Sequence, residues 1–315
     1  MPMHPDMIKA IETMQALGFR PFVELTPDEA RAQTEEMARL RAADSEGDGI
    51  ATENRTIPGP GGEIPIRIYR PKGAAADGVL PVLVYFHGGG FVIGSPDTHD
   101  SVARGMCNGA RIAVVSVNYR KAPESKFPAA AEDCYAAAKW VHDNAGSIHV
   151  DAHRMAVGGD SAGGNLAAVV ALMAREAGGP ELRLQLLVYP LTDYDFSTAS
   201  YAEFAQGYGA LTKVGMEWFR DHYLRSEADT GDWRAAPIRA ASHAGLPPAL
   251  FVTAECDVLL DDSRKYIATL KAAGVPVEHA HFDGMIHGFF SMPATLESTA
   301  AAHARAVTAL KKAFA

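Results

Sequence analysis

Gly159-Asp160-Ser161-Ala162-Gly163 is the stretch on which the reading of the fold turns. The residues before it, Arg154-Met155-Ala156-Val157-Gly158, read as a short apolar strand, and Gly164 to Ala174 reads as a helix. A Gly-x-Ser-x-Gly between a strand and a helix is the signature of a nucleophile elbow. A turn this sharp holds the serine in a strained backbone conformation, and a Cβ at either flanking glycine collides with the neighbouring strand or helix. The outcome is a hydroxyl raised above a rigid sheet, beside the positive end of a helix dipole.

The chain has 315 residues, 48% hydrophobic and 21% charged, enough for one large α/β domain with a small accessory part. A formal net charge of -9 argues against general nucleic-acid binding, which needs a basic patch to neutralise phosphate. Cys107, Cys134 and Cys256 are far apart and form no Cys-x-x-Cys, so neither a disulfide framework nor a thiolate metal site is expected. The first residues, Met1-Pro2-Met3-His4-Pro5-Asp6, show no basic leader, and no run reaches the ~18 apolar residues of a membrane span. A cytoplasmic soluble protein is expected.

Outward from the elbow, the order of elements is that of an α/β protein. Met7, Ile8, Ile11, Met14 and Leu17 recur at helical spacing, and Gly18 ends that helix. Thr26-Pro27-Asp28-Glu29 starts a second helix, running to about Ala43. Both precede the first strand, and they are read as a lid. Asn54–Ile57 and Ile64–Tyr69 flank a Pro-Gly turn and form an antiparallel hairpin at a sheet edge. Pro81–Phe86 is continuously apolar, as in a strand buried on both faces. Further strands are read at Ile112–Val117, Leu184–Tyr189, Ala249–Ala254 and Val275–Phe282, with helices near 98–109, 129–145, 260–273 and 294–314. The stretch from Leu191 to Trp233 holds no strand and follows a strand end, where α/β proteins place their sites, so it is read as the other half of the lid.

A serine hydroxyl needs a base to take its proton, and the base needs a carboxylate to orient it. Downstream of Ser161, Asp257 follows one strand and His287 follows the next, the order serine, acid, histidine. Glu255, Asp261, Asp262 and Asp283 compete for the acid role. Asp261 and Asp262 begin a helix, where the dipole accounts for them. His279 and His281 alternate on one strand face, but no third ligand is spaced for a metal. His142, His149 and His153 lie in or near a loop and are expected to face water. His87-Gly88-Gly89-Gly90 follows the first buried strand, and its backbone N–H groups pair with that of Ala162 as an oxyanion hole. His87 is read as tying that loop down. No phosphate-binding glycine motif competes.

Taken together, His87–Phe91, Asn118–Glu124, Phe127–Ala130, Glu132-Asp133, Gly159–Asn165, Tyr189-Pro190, Asp257 with Leu259 and Asp261, and His287-Gly288-Phe289 resemble the hormone-sensitive lipase family (bacterial family IV) of α/β-hydrolase carboxylesterases. The resemblance implies an α/β-hydrolase fold, a mostly parallel sheet flanked by helices. It implies a helical cap from residues 1–50 and 191–233 on a catalytic domain of 51–190 and 234–315. It implies Ser161, Asp257 and His287 as the catalytic triad and Gly89, Gly90 and Ala162 as the oxyanion hole. Asp160 and Glu124 fall in a polar network supporting the loops. The implied reaction is hydrolysis of short- to medium-chain carboxylic esters through an acyl-enzyme, with no cofactor and no metal. The implied partner is a small ester, with a possible homodimer through the Val275–Phe282 strand. One departure is Val258, where many members carry proline. Phe19, Phe22, Trp218 and Phe219 are the expected pocket walls. The rival readings are an amidase or peptidase with the same triad and a small-molecule receptor without turnover.

Overall fold

A computed structural model describes residues 3–42, 49–75, 77–206, 211–293 and 296–315. Two helices come first, α1 (Pro5–Ala16) and α2 (Pro27–Ala42). Thr26 and Glu29 cap the second reciprocally: the Glu29 amide donates to Thr26 Oγ1 (3.3 Å) and the Thr26 amide to Glu29 Oε2 (2.8 Å). The hairpin β1 (Ala51–Gly59) and β2 (Gly62–Arg70) follows, then β3 (Leu80–Phe86), α3 (Asp100–Ala110), β4 (Ala113–Val117) and α4 (Ala129–Asp143). The elbow lies between β5 (Val150–Asp160) and α5 (Ala162–Ala177), and β6 (Gln185–Val188) comes next. After β6 come the short α6 (Ala199–Glu203) and α7 (Lys213–Tyr223), then β7 (Ala249–Cys256), α8 (Leu260–Ala272), β8 (Val277–Ile286) and α9 (Glu297–Phe314).

Among the described residues eight strands form one sheet in the order β1-β2-β4-β3-β5-β6-β7-β8. Only the β1–β2 and β2–β4 pairings are antiparallel; from β4 onward every pair is parallel. All residues of β4, β6 and β7 are buried. Such strands need cover on both faces, which the packed pairs α3–α9 and α4–α5 and helix α8 supply. This is an alpha/beta hydrolase fold.

Several strands run past their apolar patterns, and in β5 and β8 a register shift accompanies the extension. β5 starts at Val150, because a register shift between Leu80 and Val82 lets Leu80 pair with Val150 and Val82 with Met155. β8 continues past Phe282 to Ile286, because a second shift, with Gly284 at φ +67°, carries the pairing on to Cys256 and Ile286. That extension delivers His287 at the strand end, level with the end of β7 that precedes Asp257. The final helix begins at Glu297, not near Ala294, which lies outside the described residues.

Candidate active site

Ser161 sits at φ 57° and ψ −117°, a strained conformation for a residue with a side chain. Its amide donates to Val188 O (2.8 Å), tying the turn to β6. A Cβ at Gly159 would lie 2.4 Å from Phe86 O and from Gly163 C, and one at Gly163 would lie 1.9 Å from Phe86 O. The elbow therefore closes only because both positions lack side chains.

His287 Nε2 lies 2.9 Å from Ser161 Oγ, and His287 Nδ1 lies 2.7 Å from Asp257 Oδ2. Since a carboxylate only accepts, Nδ1 carries the proton and Nε2 offers its lone pair to the serine hydroxyl. The second oxygen of Asp257 accepts from the Leu259 amide (2.9 Å), and the residue is 1% exposed. The Tyr189 ring lies against the imidazole, with centroids 4.5 Å apart.

The competing acids go elsewhere. Glu255 accepts from the Gly284 amide (2.7 Å), and Asp283 is exposed. Asp261 accepts from the Ser200 amide (2.9 Å). Asp262 does stand in the first turn of α8, as read from sequence, and there it is buried and accepts the amides of Thr192 and Asp193 (2.9 and 3.0 Å). His279 Nε2 and His281 Nδ1 converge on one hydroxyl, Thr253 Oγ1, at 2.8 and 2.9 Å. Among the described residues no group of three or more His, Cys, Asp or Glu could hold a metal ion. His149 and His153 face water, whereas His142 lies within α4 and is half-buried beside Asp143.

The loop after β3 is held by hydrogen bonds to its own carbonyls. His87 Nδ1 donates to Gly88 O (2.8 Å), and the amides of Val92 and Ile93 donate to Gly89 O (3.0 and 2.9 Å). In a trans peptide the N–H points opposite to the C=O, so these bonds aim the N–H groups of Gly89 and Gly90 away from them. Among the described residues the amides of Gly89, Gly90 and Ala162 have no hydrogen-bond acceptor, and all three residues line one cavity with Ser161 and His287. Burial pushes the His87 imidazole well below its ordinary pKa, so it stays neutral.

Asp160 anchors the same loop from below. Its carboxylate accepts from Tyr85 Oη (2.7 Å), from the Gly88 amide (3.1 Å) and from His99 Nε2 (3.2 Å). Burial opposes its charge, but His99 and Tyr85 outweigh that and hold the carboxyl below the usual carboxylate range. His99 was not singled out from sequence. Its partner lies 61 residues further along the chain, and no local pattern links the two.

The cavity measures about 510 Å³. Phe19 and Phe22 from the N-terminal stretch and Met216 and Phe219 from α7 form apolar walls. Trp218 does not line it; it packs edge-on against Phe219, with centroids 5.0 Å apart, and against His222. Gly215, Met216, Phe219, Arg220 and Tyr223 mark the inward arc of α7, and at about 100° per residue Trp218 falls outside that arc.

A family profile described as the alpha/beta hydrolase fold matches residues 83–291. Over 243 residues the chain is 46% identical to the carboxylic ester hydrolase LipN of Mycobacterium tuberculosis, a match covering 75% of this chain and 64% of LipN, slightly under two thirds of that relative's length. It is 34% identical over 304 residues to an ethyl acetate hydrolase of Pseudomonas putida, covering 94% of this chain and 95% of the relative. The crystal structure of a thermostable esterase from Pseudomonas putida superimposes with a TM-score of 0.94 at 39% identity, covering 100% of this chain and 98% of that one.

Proposed function

The chain belongs to the hormone-sensitive lipase-like family of alpha/beta hydrolases and is a serine carboxylesterase, and on that premise we propose that Ser161 is its nucleophile, His287 its general base and Asp257 the acid that orients the base. The observation that carries this is the hydrogen-bonded chain from Ser161 Oγ through His287 to Asp257, at 2.9 and 2.7 Å. His287 Nε2 takes the hydroxyl proton as Ser161 Oγ attacks the ester carbonyl, and Asp257 stabilises the imidazolium. The tetrahedral oxyanion forms facing the amides of Gly89, Gly90 and Ala162, each contributing about 2.7–4 kcal/mol to lowering the barrier. The imidazolium protonates the departing alcohol, leaving an acyl-serine. Water, deprotonated by the same nitrogen, then releases the acid.

The substrates are carboxylic esters of short to medium acyl chain. The apolar walls and the ~510 Å³ volume support this, as does the likeness to an ethyl acetate hydrolase. Residues 1–50 and 191–233 act as a helical cap; what supports it is that residues from both segments line the cavity. The outer edge of β8, the last strand of the sheet, is a template for pairing with a second copy, giving a homodimer. Among the described residues no helix is long and apolar enough to cross a membrane.

The test is a series of p-nitrophenyl esters from acetate to decanoate, run on wild type and Ser161→Ala, with intact-mass detection of a reactive organophosphate adduct. Wild type gains one adduct and Ser161→Ala gains none, with turnover down by at least ~10⁴-fold. A variant that keeps more than about a tenth of wild-type turnover overturns the assignment.

A further inference from the structure

The geometry points to Arg31, on helix α2 ahead of the first strand, as a positioning residue for the oxyanion turn. The inference rests on the assignment of Gly89 and Gly90 as oxyanion donors. That turn is unusual in its backbone. Gly89, Gly90 and the non-glycine Phe91 stand at φ +118°, +58° and +63° in succession. A run of positive φ values persists only where surrounding contacts over-determine it. Inside the turn the Val92 and Ile93 amides hold Gly89 O, and Asp160 holds the Gly88 amide from below; the far side is gripped from another segment.

Arg31 supplies that grip from a segment 61 residues away. Its Nε donates to Val92 O (2.9 Å) and its Nη2 to Ala122 O (2.7 Å). Ala122 in turn donates its amide to Phe91 O (2.9 Å), so one guanidinium spans both the turn and the segment that backs it. The remaining N–H groups are fixed by Glu124, at 2.8 and 2.6 Å, and by Asp28, at 3.1 Å. The bidentate hydrogen bond to Arg31 draws the Glu124 carboxyl down to about 2, so the clamp stays charged across the working pH range. Four residues further along the same helix, Glu35 accepts from Ser95 Oγ (2.7 Å) just beyond the turn. Only a planar fork reaches two carbonyls and a carboxylate at once; a lysine ammonium serves one carbonyl at a time. Helix α2 is therefore more than a wall of the pocket. When it is seated, Arg31 fixes the peptide planes on which the oxyanion donors depend.

The test compares wild type, Arg31→Met and Arg31→Lys on p-nitrophenyl acetate, a substrate too small to need the pocket's outer walls. Affinity for a trifluoromethyl ketone, which forms a tetrahedral adduct on the nucleophile, is measured beside it. Losing one oxyanion donor costs roughly 10²–10³ in kcat, and a displaced turn is expected to cost Arg31→Met roughly 10–100-fold. KM stays within ~3-fold, and the ketone weakens in parallel with kcat. A kcat within ~3-fold of wild type, or a loss confined to KM, overturns the proposal. Where Arg31→Met does not fold, Arg31→Lys decides: a partial kcat loss at unchanged KM supports the role, and an unchanged kcat refutes it. Ser161→Ala abolishes turnover whatever Arg31 does, so failure of the triad assignment and failure of this one are separate results.

Discussion

A Cβ placed on Gly163 would stand 1.9 Å from the carbonyl oxygen of Phe86, the last residue of β3. The first turn of α5 is thus pressed directly onto the end of the neighbouring strand. Overpacking of a tight core commonly costs about 1–3 kcal/mol, and here the obstacle is backbone, which cannot rotate away. Gly163→Ala is expected to lower the melting temperature by several degrees and to cut turnover at least tenfold, since α5 moves and Ala162 moves with it. Paired thermal melts and kinetics check this; a variant matching wild type in both means the elbow tolerates what the geometry forbids.

Asp257 fixes the imidazole tautomer through its bond to Nδ1. Asp257→Asn places an amide there that favours the proton on Nε2, the atom that must accept from Ser161. Loss of about 10⁴ in kcat is expected at neutral pH, with little change in stability because the side chain is isosteric and the Leu259 amide keeps an acceptor. The readout is kcat against pH beside a thermal melt. A loss under tenfold removes Asp257 from the mechanism.

How legible all this was depended on whether the signal was local. The elbow, the apolar strands and the strand-end positions of Asp257 and His287 each occupy a few consecutive residues, and consecutive residues carry period and turn chemistry. Arg31 and Val92 are 61 residues apart and His99 and Asp160 are 61 apart, and no period links them. Asp262 shows a local explanation displaced by a tertiary one. A helix start accounts for an acid there, yet the carboxylate binds the chain seventy residues upstream. Trp218 and Phe219 were indistinguishable as aromatics; only the rotation of α7 sorts them.

Asp262 also sets a pH dependence of unusual sign. Burial, helped by Asp193 and Asp257, raises its carboxyl to about 7, although the amides of Thr192 and Asp193 pull the other way. In the unfolded chain it titrates near ~3.9. Between these values the folded state holds a proton that the unfolded state has lost. Stability from this group therefore falls as pH rises from about 4 to about 7, by up to ~1.4 kcal/mol per unit, and levels off above. Asp262→Asn keeps an oxygen for both amides and removes the titration. Melting temperatures at pH 5, 6, 7 and 8 should show the variant gaining on wild type as pH rises. Parallel curves would falsify the linkage.

Phe219 caps the oxyanion turn: a Cβ at Gly90 would fall 2.1 Å from its Cδ1, so the ring lies directly over that glycine. On its other side it meets Phe22 edge-on, with centroids 5.8 Å apart, which closes the cavity where α7 and the N-terminal stretch meet. Phe219→Ala opens this wall. Medium-chain esters then gain room that the wild type denies them, while butyrate loses an apolar contact. A few methylenes in an apolar pocket, at roughly 1–3 kcal/mol each, give at least a tenfold change in discrimination. The ratio of kcat/KM for decanoate to that for butyrate should rise by about that factor. Both rates unchanged would show that the acyl chain runs elsewhere, and a fall in both by the same factor would assign Phe219 to holding the Gly90 turn.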